Sequence, residues 1–265
     1  MTQFLADLRE LAREQFEYRE LLYQMTRRDL ILRYKQTVMG FAWAVFMPLI
    51  NTIIFSVIFM RVAPVDTGAP YPIFAYLGLL AWNFSAASFR FSVNSLTSNA
   101  NLVTKVYFPR EIFPVSAVLV SLVDFAVGAA VLVAMLIYYQ IPPTSALLAL
   151  PIILVVHTAF TIAVSLVLAM ANLFYRDVKY IFEVVITVWM FATSVVYPVD
   201  LIGGRLGVLL MLNPMTAIVD AYRAVILKGQ LPSPAFAAAA AVTVVLVAVA
   251  LVVFHRAEFQ FAENI

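Results

Sequence analysis

The sequence predicts an all-α, polytopic membrane protein with six transmembrane helices, an N-terminal amphipathic interface helix and re-entrant outer helices between spans five and six. Three observations predict it. Of 265 residues, 64% are hydrophobic and only 12% are charged, against roughly 45–50% and roughly 25% in a soluble domain. A water-soluble globule of this size has too little interior to hide that surplus. Uncharged stretches near 20 residues, long enough to cross about 30 Å of hydrocarbon, recur along the chain. Lysine and arginine crowd the segments on one side of those stretches. The same composition excludes disorder, which needs low hydrophobicity. A net charge of +2 argues for no polyanionic partner and no nucleic acid, and zero cysteines exclude a disulfide framework, a thiolate metal site and a cysteine nucleophile.

Residues 1–36 read as a helix that lies on the membrane. Phe4, Leu8, Leu11, Ala12, Phe16, Leu21, Leu22 and Met25 recur at three- and four-residue steps, while Arg9, Glu10, Arg13, Glu14, Glu17 and Glu20 fill the other side. Such a helix next to a span sits in the interface plane, as a topology-setting anchor or a docking surface. Forty residues, many of them charged, precede the first apolar stretch, so no cleaved signal peptide is expected.

Residues 37–265 form the transmembrane domain, with spans at about 41–60, 71–92, 115–139, 147–173, 178–198 and 236–254. The uncharged run from Phe125 to Tyr175 is too long for one crossing, and Pro142-Pro143 divides it. Seven bases precede span one, and with the loops after spans two and four and the tail they make thirteen on one side against four on the other. Positive charge marks the cytoplasmic face, which places both termini there.

Between spans two and three, residues 99–114 are too polar to cross and too apolar to be a solvated linker. Leu102, Val103, Val106 and Tyr107 share one face of a short helix that Pro109 ends, and such a face asks for a protein groove. Packing of the loop on its own bundle is the plainer alternative. The segment 172–180 has the same mixed character. After span five, Tyr197-Pro198, Gly203-Gly204, Asn213-Pro214 and Tyr222-Arg223 punctuate an apolar stretch, which suits half-inserted helices covered by protein.

No G-x-x-x-x-G-K-[ST], His-Glu-x-x-His or G-x-S-x-G occurs, so the chain carries no nucleotide-hydrolysing loop and no catalytic or metal site is expected. His157, among aliphatics, reads as a hydrogen-bonded structural histidine. Asp124 in span three and Glu183 in span five are intramembrane acids, with Arg90 at the inner end of span two as a pairing candidate. Trp43, Phe46, Phe55, Phe59, Trp82, Phe84, Phe89 and Phe91 pair at helical spacings. They read as lipid-facing or belt residues or, more sharply, as the wall of a channel that offers flat faces to sugar C–H groups.

Four strings carry a family resemblance. Arg28–Trp43 (RDLILRYKQTVMGFAW, with Pro48 beyond) resembles the approach to span one of ABC-2 type permeases that export polysaccharides, with Met39 where leucine is expected. Leu102–Pro114 (LVTKVYFPREIFP) is similar to that family's cytoplasmic coupling helix, and it is the most specific string. Phe174–Val178 (FYRDV) and Asn213-Pro214 with Tyr222-Arg223 follow in the right order, so the resemblance covers essentially the whole chain.

The resemblance implies a homodimer in the cytoplasmic (inner) membrane of a bacterium, paired with two copies of an ATPase subunit. That subunit would hold ATP and Mg, this chain binding no cofactor. The substrate class implied is an undecaprenyl-linked glycan, as in O-antigen, capsule-like glycan or teichoic acid export. Asn101, Leu102, Lys105, Val106, Tyr107, Phe108, Arg110, Glu111, Arg176 and Asp177 would then couple to the ATPase. Arg27, Arg28, Arg33 and Lys35 would meet the lipid head group and its pyrophosphate. Tyr197, Asn213, Tyr222 and Arg223 would form the outer gate. Export of a drug or small lipid by the same family is the near alternative, and an intramembrane enzyme using Asp124, Glu183 and His157 the distant one.

Overall fold

The computed structural model describes residues 17–35, 37–40, 42–62, 64–105, 108–202 and 204–264, and these are helical with short connections. The helices are α1 (Arg19–Tyr34), α2 (Ala42–Val57, continued by a π turn Ile58–Val62), α3 (Tyr71–Val93), α4 (Ala100–Lys105), α5 (Ile112–Tyr138), α6 (Leu150–Phe174), α7 (Val178–Phe191), α8 (Gly204–Met211), α9 (Pro214–Ile226), α10 (Pro234–Ala257) and α11 (Phe261–Asn264). Residues 1–16, most of the amphipathic N-terminal stretch, lie outside the described residues. Proline opens four of these helices within the first two positions, at Pro72, Pro151, Pro214 and Pro234. Its missing N–H costs nothing there and its φ suits the first turn. Inside α2, Pro48 removes a backbone donor, and Thr52 Oγ1 donates to the Pro48 carbonyl at 2.8 Å.

Five helical segments among the described residues are long and apolar enough to cross a membrane: Ala42–Val62, Tyr71–Val93, Ile112–Tyr138, Ser145–Phe174 and Pro234–Gln260. The expected span at 178–198 is different. Helix α7 has 14 residues, about 21 Å of rise, and ends at Phe191, well before Pro198. The chain then turns through residues 192–198, makes a 3₁₀ turn at Val199–Leu201 and enters the short α8.

Helix α3 is the axis of the bundle. It packs on α2, α5, α6, α7 and α9, and 83% of its apolar window is buried, against 11% for Ala42–Val62. Gly128 on α5 lets Leu80 approach, since an added Cβ would sit 2.5 Å from Leu80 Cδ1. One core joins α3, α6 and α9 around Tyr76, Trp82, Phe89, Phe160, Ile218 and Tyr222. A second, at the end where α1 lies, gathers Met25, Val103, Phe108, Phe113, Leu166, Phe254 and Phe261. The two cores set up two chemically different ends.

Candidate functional site

At the α9 end the expected gate residues meet where the backbone is broken. When α7 stops, successive carbonyls lose their helical donors, and in an apolar setting each must be capped. The sequence supplies a cap for each one. Tyr197 Oη donates to the Phe191 carbonyl at 2.6 Å, and Asn213 Nδ2 to Ala192 at 3.1 Å. Val195 N donates to Thr193. The Arg223 guanidinium donates to Ser194 and, at 2.6 Å, to Val195, and Tyr71 Oη donates to Val196 at 2.7 Å.

Asn213 serves both helices there: its Oδ1 accepts from Met215 N at the start of α9 and from Trp189 Nε1 in α7. Arg223 is 3% exposed, stacks 3.6 Å over Phe74 and pairs with Asp220 at 3.4 Å. Gly78 makes the approach possible: a Cβ there would lie 2.1 Å from the Val195 carbonyl oxygen and 2.5 Å from Arg223 Nη2. Of the four expected gate residues, Tyr197, Asn213 and Arg223 therefore converge on one break. Tyr222 does not join them; its Oη lies 3.4 Å from His157 Nδ1. His157 is fully buried, with Ser85 Oγ 2.8 Å from Nε2.

At the α1 end, side chains pair with side chains. Arg33 and Tyr34 both bind Asp124. Arg33 also lies 3.7 Å over the Phe91 ring. Burial, with the Asp124 carboxylate beside it, pushes the Tyr34 phenol above its ordinary range, so it stays a donor. Arg28 pairs with Asp29 and reaches Asn99 at 3.0 Å. Asp29 in turn accepts from Ser116, which ties α1 to α5. Arg27 and Lys35 are exposed. Of the four expected head-group bases, two are thus engaged within the chain and two face outward.

Short α4 buries Val103 and exposes Asn101 and Lys105, with Leu102 half-buried. Val106 and Tyr107 lie outside the described residues. Phe108 is buried with its ring 5.5 Å from that of Phe113. Arg110 holds the loop: its guanidinium donates to Glu258 at 3.0 Å and to the Val103 carbonyl at 3.3 Å. Glu111 is buried, 3.9 Å from His255 Nδ1, which is 3.7 Å from Glu258. Glu111, His255 and Glu258 bring ligand-type atoms within 4.8 Å of one another. The Arg110 guanidinium already supplies the positive charge at Glu258, so an ion-pair brace accounts for the cluster. Arg176 and Asp177 sit exposed between α6 and α7.

The expected intramembrane charges divide. Arg90 Nε donates to Glu183 at 3.2 Å, joining α3 and α7 at the surface, while Asp124 belongs to Arg33. Between α2, α3 and α5 lies an open groove of about 340 Å³ whose lining includes Trp43, Asn51, Asn83, Phe84, Arg90 and Asp124. Among the aromatic residues, Trp43 and Phe46 are exposed and Phe55 and Phe59 partly so. Trp82 and Phe89 are closed into the core, where both lie against Trp189. Phe84 is also buried, against Phe125 and His157.

Sequence reasoning passed over Tyr71, Gly78, Asp29, Glu258, Asn51 and Asn83. Gly78 carried a signal, since a lone glycine inside a helical pattern usually marks a close approach. Asn51 and Asn83 carried another: amides in otherwise apolar spans.

A family model described as ABC-2 type transporter matches residues 20–227. The O-antigen export system permease protein RfbA of Myxococcus xanthus is 31% identical over 258 residues, covering 96% of this chain and 99% of that one. A protein of the same name from Klebsiella pneumoniae is 29% identical over 245 residues, covering 92% and 94%.

Proposed function

The chain belongs to the ABC-2 type transporter family, and from that premise we propose that it is the permease subunit of an ABC exporter for a lipid-linked polysaccharide. O-antigen, a capsule-like glycan and teichoic acid are the substrates in view. The observation that carries this reading is similarity along nearly the whole chain to relatives named as O-antigen export permeases. The chain itself is a transport subunit. A separate ATPase, in two copies, binds ATP and Mg and drives a homodimer of this chain in the cytoplasmic membrane of a bacterium.

In this reading both termini are cytoplasmic. Helix α7 and the turn after it form a sixth crossing, and α8 and α9 are re-entrant at the outer leaflet. The α1 end then faces the ATPase. Asn101 and Lys105 on α4, with Arg176 and Asp177, offer the outward contacts. Arg110 is the brace that passes motion of α4 to α10 through Glu258. Arg27 and Lys35 are the bases left to meet a lipid pyrophosphate, because Arg28 and Arg33 are engaged by acids of the chain. The exposed faces of α2 and α7 form the channel wall. Export of a small lipid by the same architecture is the competing reading, and no observation favours it.

The test is co-purification with the ATPase encoded beside the gene, with ATP hydrolysis and surface glycan as readouts. The native pair is expected to hold together and to restore glycan to a strain lacking the permease. Asn101→Ala with Lys105→Ala is expected to lower permease-stimulated hydrolysis about tenfold, an interface loss of about 1.4 kcal/mol. A native chain that retains no ATPase overturns the reading.

A further inference from the structure

The groove between α2, α3 and α5 contains an uncommon pair of groups. Asn51 lies midway along α2 and Asn83 midway along α3, each half-buried. Neither amide makes a hydrogen bond among the described residues, whereas Asn99, Asn172 and Asn213 all do. Polar side chains at this depth are costly and mark a bound partner or a path for one. The groove's volume of about 340 Å³ falls at the lower end of the roughly 300–1,000 Å³ that ligand sites occupy.

Charge narrows the occupant. Both guanidinium groups near the groove are matched, Arg33 by Asp124 and Arg90 by Glu183 at 3.2 Å. A phosphate or pyrophosphate would meet the Asp124 carboxylate in the lining and two guanidinium charges that are already balanced. A neutral group avoids that conflict, and two amides with free donors and acceptors suit vicinal hydroxyls. The indole of Trp43, 40% exposed on the groove's rim, adds a flat face for sugar C–H groups. A second copy of the chain suits the groove less well. The exposed stretches 53–57 of α2 and 183–188 of α7 are mainly apolar, and the exposed polar side chains of the second are already engaged, Glu183 with Arg90 and Thr187 with the Glu183 carbonyl.

We propose that this groove binds one neutral, hydroxyl-rich sugar unit inside a single protomer, with Asn51 and Asn83 as its hydrogen-bonding pair and Trp43 as its stacking face. The proposal rests on the glycan-export reading and assigns that reading a subsite.

The experiment uses the full chain in phosphatidylcholine nanodiscs and follows tryptophan fluorescence during titration with submicellar dodecyl maltoside or dodecyl phosphate. The maltoside is expected to give a saturable change that Trp43→Phe abolishes. Asn51→Leu and Asn83→Leu should each weaken it about tenfold, the worth of one or two hydrogen bonds. Asn51→Gln, which keeps an amide, should bind close to the native affinity and controls for misfolding of the leucine variants. Undiminished maltoside affinity in both leucine variants overturns the proposal, as does dodecyl phosphate binding at least as tightly. A signal that follows protein concentration in place of probe concentration assigns the groove to a second copy and also overturns it. Surface glycan is measured on cells carrying the same variants. Export by the native chain without amide-dependent binding sinks only the subsite, and binding without export sinks only the function.

Discussion

The two ends of the bundle are held by different chemistry. At the α1 end the links between helices run mainly from side chain to side chain, Arg33 with Asp124, Arg110 with Glu258 and Asp29 with Ser116, and only single carbonyls such as those of Val93 and Val103 take a side-chain donor. At the α9 end the chain is broken after Phe191, and the polar side chains are turned on the backbone. Tyr71, Tyr197, Asn213 and Arg223 each cap a carbonyl between residues 191 and 196. The difference follows from the solvent. Where water is excluded, a freed carbonyl has to find a protein donor, so an irregular segment imposes on its neighbours a demand that a regular helix does not. Ion pairs between whole helices are a separate matter; they fix which helices touch and in what register.

This contrast sets an order of effects. The largest belongs to Arg223. Arg223→Leu leaves the Ser194 and Val195 carbonyls without a donor and Asp220 without its positive partner, with only the Ser194 hydroxyl left to it, inside a core that a leucine cannot hydrate. A cost of about 3–5 kcal/mol is expected, as for removing one partner of a buried charged network. Thermal unfolding of the purified permease in detergent would read it. Arg223→Lys should recover only part of the loss, since one ammonium cannot span two carbonyls as a guanidinium fork does. Equal stability of Arg223→Lys and the native chain would mean that charge alone holds the break.

The brace at the other end comes second. Arg110 and Glu258 are each mostly buried, with side-chain exposures of 13% and 11%. Arg110 also donates its backbone N–H to the same carboxylate at 3.1 Å. A double-mutant cycle with Arg110→Met and Glu258→Gln is expected to give a coupling of about 1–2 kcal/mol. A coupling as large as the Arg223→Leu loss would erase the distinction between the ends, because the α1 end would then need its side chains as much as the break does.

How much of this was legible follows the same division. Apolar length and the placement of lysine and arginine are properties of continuous segments, and the helices matching five of the expected spans emerge close to their expected places. That the stretch after Tyr197 is broken into short helices, here α8 and α9, was legible too, from its Gly-Gly, Asn-Pro and Tyr-Pro punctuation. That α7 stops at Phe191 was not. Nothing in VVITVWMFATSVVYP breaks a helix before Pro198. The stop depends on donors from Asn213, Arg223 and Tyr71, which the fold brings from far along the chain. Burial was similarly hidden: Trp43 and Trp82 have the same residue type and similar apolar neighbours, yet α2 faces outward and α3 is the axis. Pairing of Arg33 with Asp124 spans 91 residues of sequence, so the charge pattern named both groups without joining them.

The smallest effect tests whether the α1 end holds by its buried pairs or by charge in general. Arg28 pairs with its chain neighbour Asp29 at 2.8 Å and touches Asn99, but its side chain is 35% exposed and that of Asp29 is 30%. A pair so open to solvent gains little over hydration, and adjacent positions on one helix do not join two elements. Arg28→Gln is therefore expected to change stability by no more than about 0.5 kcal/mol, even though it removes a base from the most basic segment of the chain. Asp29 would keep its bond to Ser116 and with it the link from α1 to α5. A loss comparable to the Arg110–Glu258 coupling would show that α1 is held to the bundle by Arg28 and Asn99, and that the register of this end is set by the loop after α3 in addition to the buried pairs on α5 and α10.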